Sequence, residues 1–187
     1  NEHYLPRLSD RIALAQIIMV APGENITAAV AVPDFNAADY CTMVTRKGKI
    51  KRVVLSEFAQ VRPSGLIAAN LEEGDVLGWV KLTLGGQDII ILTEKGQAAR
   101  YCEDEVRAMG RAAAGVNAIR LDDDDFVTSM EVADPEADLL VVTEKGYGKR
   151  TPLSEYASKS RAISGVATIA QKSLETTGRV ASARVVR

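Results

Sequence analysis

Thr45-Arg46-Lys47-Gly48, Thr93-Glu94-Lys95-Gly96 and Thr143-Glu144-Lys145-Gly146 are three statements of one pattern. Each follows an apolar run and precedes a basic cluster. Their glycines are spaced by 48 and 50 residues, and a second series, Gly65, Gly115 and Gly165, recurs at 50 and 50. A period near fifty signals modules that stack or radiate. It turns the functional question from single residues to a surface made by repetition.

Working outward from the glycine turns, each unit opens with an alternating strand: Ile26–Val32, Val76–Leu82 and Phe126–Val132. The residues before these strands, Asn25, Asp75 and Asp125, are again 50 apart. A short turn rich in Pro, Gly or Asp leads to an apolar run, Tyr40–Val44, Ile89–Leu92 or Leu139–Val142, which reads as a strand buried on both faces. The lysine-glycine turn then reverses the chain, because glycine accepts the positive φ of a tight hairpin. The return strand carries bases. A small acidic-aromatic or apolar element (Leu55–Phe58, Glu103–Val106, Leu153–Tyr156), a basic loop ending in glycine and a last strand (Leu66–Leu71, Val116–Leu121, Val166–Ala170) complete the unit. Four short strands in about fifty residues predict an all-β chain of propeller-like blades. Tandem β-sandwiches are the alternative, but fifty residues is small for one. The units run 25–74, 75–124 and 125–178. Residues 4–24 match the second half of a unit and 179–187 the first strand of another, so the chain reads as a piece of a longer array.

The bulk of the chain limits its chemistry. It has 187 residues, 47% hydrophobic and 26% charged, with nothing near the roughly 18 apolar residues of a membrane span. The start, Asn1-Glu2-His3-Tyr4, is not a signal peptide. Cys41 and Cys102 are expected to be reduced and buried, which fits a cytoplasmic protein. His3 is the one histidine, and no phosphate-binding glycine loop is present. Catalytic, metal and cofactor sites complete within the chain are therefore not expected. A net charge of −2 argues against indiscriminate nucleic-acid binding, yet acids gather at 72–75 and 122–125 and bases at 47–52 and 145–150. Such clustering makes faces of opposite sign.

Three stretches carry a resemblance: Thr143–Tyr156, Met43–Gly48 and Val106–Arg111. In order and at matched spacing, they resemble the C-terminal domain of the DNA gyrase A protein over roughly residues 4–187. The resemblance implies a β-pinwheel, a propeller-like ring or spiral of about six blades that exchange strands with their neighbours. It implies a domain that wraps duplex DNA around its outer rim without sequence choice and so lets the whole enzyme introduce negative supercoils. Partners would be double-stranded DNA, the remainder of the gyrase A protein, and the gyrase B protein. ATP and Mg would belong only to the whole enzyme. The catalytic tyrosine of the family lies in another domain, and none of Tyr4, Tyr40, Tyr101, Tyr147 or Tyr156 matches its setting. The family's basic glycine-rich box (a glutamine, two arginines, two glycines, lysine, glycine) is absent, and Ser158–Gly165 is a degraded counterpart. The related topoisomerase IV domain also lacks the box. The closer match of the last unit favours gyrase.

Wrapping requires many modest phosphate contacts, each releasing counterions, whose sum offsets the cost of bending DNA. The candidates are Lys47, Lys49, Lys51, Arg52 and Arg62 in the first unit, Lys95, Arg100, Arg107 and Arg111 in the second, and Lys145, Lys149, Arg150, Lys159 and Arg161 in the third. Alternation predicts Ile50 facing inward with Lys49 and Lys51 outward. Arg52 shares the face of Ile50 and could instead pair with Glu57, as Arg150 could with Glu155. Asp122–Asp125 lacks the glycine and terminal glutamate of a calcium loop and reads as a solvated turn that keeps DNA off that edge. Trp79 reads as core or inter-blade packing rather than a stacking platform for bases. A protein-interaction propeller with apolar or acidic rims is the competing class, and a hydrolase propeller a distant third.

Overall fold

The computed structural model describes residue 18, residues 20–60 and residues 65–187. Among these residues, eleven strands form three antiparallel sheets: β1 (Tyr40–Thr45), β2 (Lys49–Val54), β3 (Leu77–Thr83), β4 (Asp88–Thr93), β5 (Gln97–Cys102), β6 (Val116–Asn117), β7 (Val127–Val132), β8 (Asp138–Thr143), β9 (Gly148–Pro152), β10 (Val166–Ala167) and β11 (Val180–Val186). One helical turn, Leu174–Thr177, and four short 3-10 turns interrupt them. The strand orders are β3-β1-β2-β6, β10-β5-β4-β7 and β11-β8-β9.

Each sheet is centred on one glycine hairpin. The amides of Gly48, Gly96 and Gly146 donate to the carbonyls of Thr45, Thr93 and Thr143 at 3.1, 3.0 and 2.9 Å, and all three glycines have φ of 82°. The turn thus ends in a left-handed residue, the geometry of a hairpin closed by a glycine bulge. The threonine completes it. Its Oγ1 accepts from the amide of Lys49, Gln97 or Tyr147 at 3.1, 3.1 and 3.3 Å. A buried, β-branched strand end that also caps its own turn explains why the repeat is Thr-x-Lys-Gly.

The outer strands of each sheet come from the following repeat. β3 and β6 flank the β1–β2 hairpin, and β7 and β10 flank β4–β5. The second glycine series marks this exchange. A Cβ on Gly115 would lie 2.6 Å from the Ile50 carbonyl oxygen, and one on Gly165 would lie 2.7 Å from that of Ala98. Only glycine allows the incoming strand so close.

Exchange also accounts for two expected strands that do not form. Residues 26–32 and 66–71 carry no strand. By the pattern of the other repeats both would pair with the hairpin of the preceding unit, and the described residues contain no such hairpin. The half-unit expected at 4–24 lies largely outside the described residues. β6 and β10 are two residues long rather than the five or six expected.

The sheets stack face to face. β4 alternates between two cores: Ile89 and Ile91 join Val44, Ile50, Tyr101 and Met130 between the first and second sheets, while Ile90 and Leu92 join Leu139, Val141 and Leu153 between the second and third. A strand buried on both faces reads as a continuous apolar run. Trp79 packs against the first of these cores. β3, β7 and β11 lie side by side, linked by Lys81–Glu131 at 2.7 Å and Arg184–Glu131 at 2.8 Å. They form the inner edge, so β6, β10 and the loops leading to them form the outer edge. Neither cysteine is in a disulfide. Cys41 is buried, but Cys102 is only half-buried, contrary to expectation.

Candidate nucleic-acid interface

The hairpin-tip lysines are held at the seam where their own repeat ends and the next begins. The Lys47 amide donates to Asp75 Oδ1 at 2.9 Å and its ammonium to the Glu73 carbonyl at 2.8 Å. The Lys95 amide donates to Asp125 Oδ1 at 2.9 Å and its ammonium to the Asp123 carbonyl. Lys145 repeats the arrangement with the carbonyls of Thr177 and Glu175. Each ammonium bonds to a neutral carbonyl, so its charge persists while its position is fixed. Asp75 and Asp125 also accept from the amides of Val76 and Phe126, at 2.7 and 2.9 Å. The acidic turns are therefore the receptors of these clasps. The fifty-residue spacing of Asn25, Asp75 and Asp125 was the signal for them.

Several bases of the return strands are turned inward. Lys51, expected outward, is 2% exposed. Arg52 is also buried, lying 4.2 Å over the Tyr40 ring, and its partners are Asp104 at 2.6 Å and Glu103 at 3.4 Å rather than Glu57. Glu57 lies instead 3.9 Å from Arg111. Arg100 pairs with Asp88 at 2.8 Å and donates to the Leu153 carbonyl at 2.9 Å. Arg150 pairs with Asp138, not Glu155, and remains exposed. The shared cause is the next repeat. Its 3-10 turn receives Arg52 and Arg100, and its loop covers the outward face at Lys51, which single-strand alternation treats as solvent. Lys49 reaches Glu72 at 3.1 Å, and Lys149 is exposed with its ammonium 3.2 Å from the Thr168 carbonyl.

The outer edge is covered by two equivalent loops, residues 106–115 and 156–165. The Met109 amide donates to the Arg52 carbonyl at 2.8 Å and the Lys159 amide to the Arg100 carbonyl at 2.9 Å, so each loop crosses the preceding return strand at the same point. Arg107 and Lys159 are exposed on these loops and have no side-chain partner among the described residues. Arg111 is half-buried. The Arg161 amide donates to Glu105 at 2.9 Å and its guanidinium to the Asn117 carbonyl. Arg120, not singled out from the sequence, is exposed beside this loop, 3.1 Å from Ser164 Oγ. Arg62 lies outside the described residues.

Burial sets the titration of the groups inside. It lowers the pKa of Lys51, an effect opposed by Glu57 and Cys41, and raises that of Cys41 to about 11 against the pull of Lys51. The Tyr101 phenol is pushed up by burial. Hydrogen bonding to Arg52 holds Asp104 below the usual carboxylate range.

The family described as "DNA gyrase C-terminal domain, beta-propeller" matches residues 39–81, 87–134 and 137–187, well over half of the chain. The chain belongs to this family. Relatives of the gyrase family include the DNA gyrase A protein of Synechocystis, 38% identical over 126 residues (65% of this chain, 15% of that protein). The DNA gyrase A protein of Clostridium acetobutylicum is 42% identical over 103 residues (55% and 12%). The chain thus spans a small part of these curated relatives. A solved C-terminal domain of DNA topoisomerase IV superposes with TM-score 0.78 at 26% identity, covering 94% of this chain and 70% of that one. A solved DNA gyrase A C-terminal domain superposes with TM-score 0.82 at 24% identity, covering 96% and 59%, a likeness of fold. The strand-exchanged β-pinwheel expected from the resemblance is the fold of this gyrase-family chain.

Proposed function

We propose that this chain binds duplex DNA without sequence preference along its outer edge, as a wrapping module of the gyrase type. The supporting observation is the pair of loops 106–115 and 156–165. Both are fixed on the outer edge by the same backbone bond, and each presents an exposed cation to solvent, Arg107 on the first and Lys159 on the second. Lys149, Arg150 and Arg120 are exposed cations in the same units. A track of modest contacts at a fixed angular step suits a curved duplex better than a single strong site. The module would act in the cytoplasm with the remainder of the gyrase A protein and with the gyrase B protein. The ATP- and Mg-dependent reaction of that whole enzyme is negative supercoiling. The module's own part is to curve DNA, not to cut it. Gyrase is preferred over topoisomerase IV on the curated relatives.

The test is binding of a labelled duplex of about 40 bp, measured across a salt series. The log of affinity should fall linearly with log salt. Arg107→Glu with Lys159→Glu should lower affinity and flatten the slope by about 1–2. A shuffled sequence should bind equally. Absence of any complex at low salt would overturn the reading for this chain.

A further inference from the structure

We infer that Lys51 is the positioning residue for the outer-edge loop 106–115, and through it for the phosphate contacts of Arg107 and Arg111. This rests on the DNA-binding reading above. The Lys51 ammonium donates to the carbonyls of Ala68 at 2.9 Å, Gly110 at 3.2 Å, Ala113 at 2.8 Å, and Arg111. An ammonium has three protons, so four acceptors consume its whole donor capacity. At 2% exposure it offers nothing to a phosphate. It joins its own return strand, the end of its own repeat and the loop of the next one.

The second junction shows what the lysine replaces. There Ala99 stands where Lys51 stands, and it is fully buried. The carbonyls equivalent to those of Ala68 and Ala113, fifty residues on, are those of Ala118 and Ile163. They accept directly from the backbone amides of Ala162 at 3.2 Å and Arg120 at 2.9 Å. One junction closes backbone to backbone, and the other closes around an interposed ammonium. Burying an ammonium is costly unless it is fully bonded, and here burial depresses its pKa. An alanine junction exists in the same chain, so this cost is not needed to close a junction. What the ammonium determines is where the loop stands: the offset of Arg107 and Arg111 from Lys159, and hence the step of the DNA track between the first two sheets.

The experiment uses the whole chain with Lys51→Met and Lys51→Arg, binding the same 40-bp duplex over a salt series, with hydrogen exchange read at the bonded loop amides of Met109 and Ala113. Lys51→Met should speed exchange there, lower affinity about 3–10-fold and reduce the salt slope by about 1–2. Arg107→Ala should cost the parent about 3–10-fold but the Lys51→Met chain less than about twofold, while Lys159→Ala should cost both alike, since coupling is confined to residues that act together. Lys51→Arg, which keeps donors in place, should restore most of the slope, and it carries the comparison if Lys51→Met does not fold. If the parent binds DNA while Lys51→Met keeps its slope and Arg107→Ala costs both chains equally, the positioning role is refuted and the binding reading stands. If the parent chain does not bind, the binding reading falls, and the positioning role with it.

Discussion

Substituting Gly165 separates two effects that glycines usually confound. Its φ is 79°, and an added Cβ would lie 2.7 Å from the Ala98 carbonyl oxygen and 2.8 Å from its carbon. Gly146 has nearly the same φ, 82°, with no atom within 4 Å of such a Cβ. Holding an L-residue in the left-handed region costs roughly 1–2 kcal/mol, and both alanine variants incur it. Gly165→Ala adds a collision with a backbone oxygen on β5, where Val166 pairs with Ala98. Overpacking of that kind costs typically about 1–3 kcal/mol. For a chain of this size each kcal/mol moves the melting temperature by about 2–4 °C. Gly146→Ala should therefore melt about 2–8 °C below the parent, and Gly165→Ala about 2–12 °C lower still. Thermal unfolding followed by circular dichroism gives both numbers. Hydrogen exchange at Val166 and Ala167 localises the second. Equal melting temperatures with unchanged exchange would mean that β10 does not approach β5 as described, and the explanation of the second glycine series would fail.

Replacing Lys47, Lys95 and Lys145 together by Met should lower stability by about 1.5–4.5 kcal/mol in urea unfolding, at ~0.5–1.5 for each of three lost hydrogen bonds, yet change duplex affinity less than Arg107→Glu with Lys159→Glu does. The reverse ranking would make the hairpin tips the DNA contacts. Cys41, buried with its thiol pushed up to about 11, should resist alkylation at pH 8 until the chain unfolds, as intact-mass measurement would show. Asp104, hydrogen-bonded to Arg52, titrates below its ordinary value. The contribution of this depressed acid is present above the unfolded pKa and is lost as pH falls through the folded one. Arg52→Gln should return the Asp104 carboxyl resonance to the ordinary range, and an unmoved midpoint would exclude the pairing.

The hairpins were legible because their instructions are local. Thr45, Lys47 and Gly48 specify a turn within five residues, and three copies repeat it. The residues that make contact between repeats were visible only as spacings. Asp75 and Asp125, Gly115 and Gly165 stood out at fifty-residue intervals, but their partners, the Lys47 and Lys95 amides and the Ile50 and Ala98 carbonyls, lie 28 to 67 residues away in sequence, and nothing local names them. The same distance explains the misread cations. Alternation assigned Lys51 to solvent because it knows only the strand that carries it. Gly110 and Ala113, which cover that face, belong to the next repeat. Arg107 and Lys159, listed from the sequence only as candidate bases, are exposed, because the loops that carry them lie outermost. The strands expected at 26–32 and 66–71 have apolar patterns like those of their counterparts. A pattern proposes a strand, and only a partner makes one.

Because the first sheet takes β3 and β6 from the repeat that follows and the second takes β7 and β10 in the same way, no contiguous fifty-residue stretch contains either four-stranded sheet. The heritable unit and the folded unit are out of register. An in-frame duplication of one period inside such an array lends its flanking strands to the hairpin before it and borrows replacements from the repeat after it. The array gains a sheet and no unpaired edge, and unpaired edges are the usual hazard of lengthening a β protein. Repeat number can therefore drift over evolutionary time at little cost in solubility, and the arc of the array becomes a quantity that selection can adjust one period at a time.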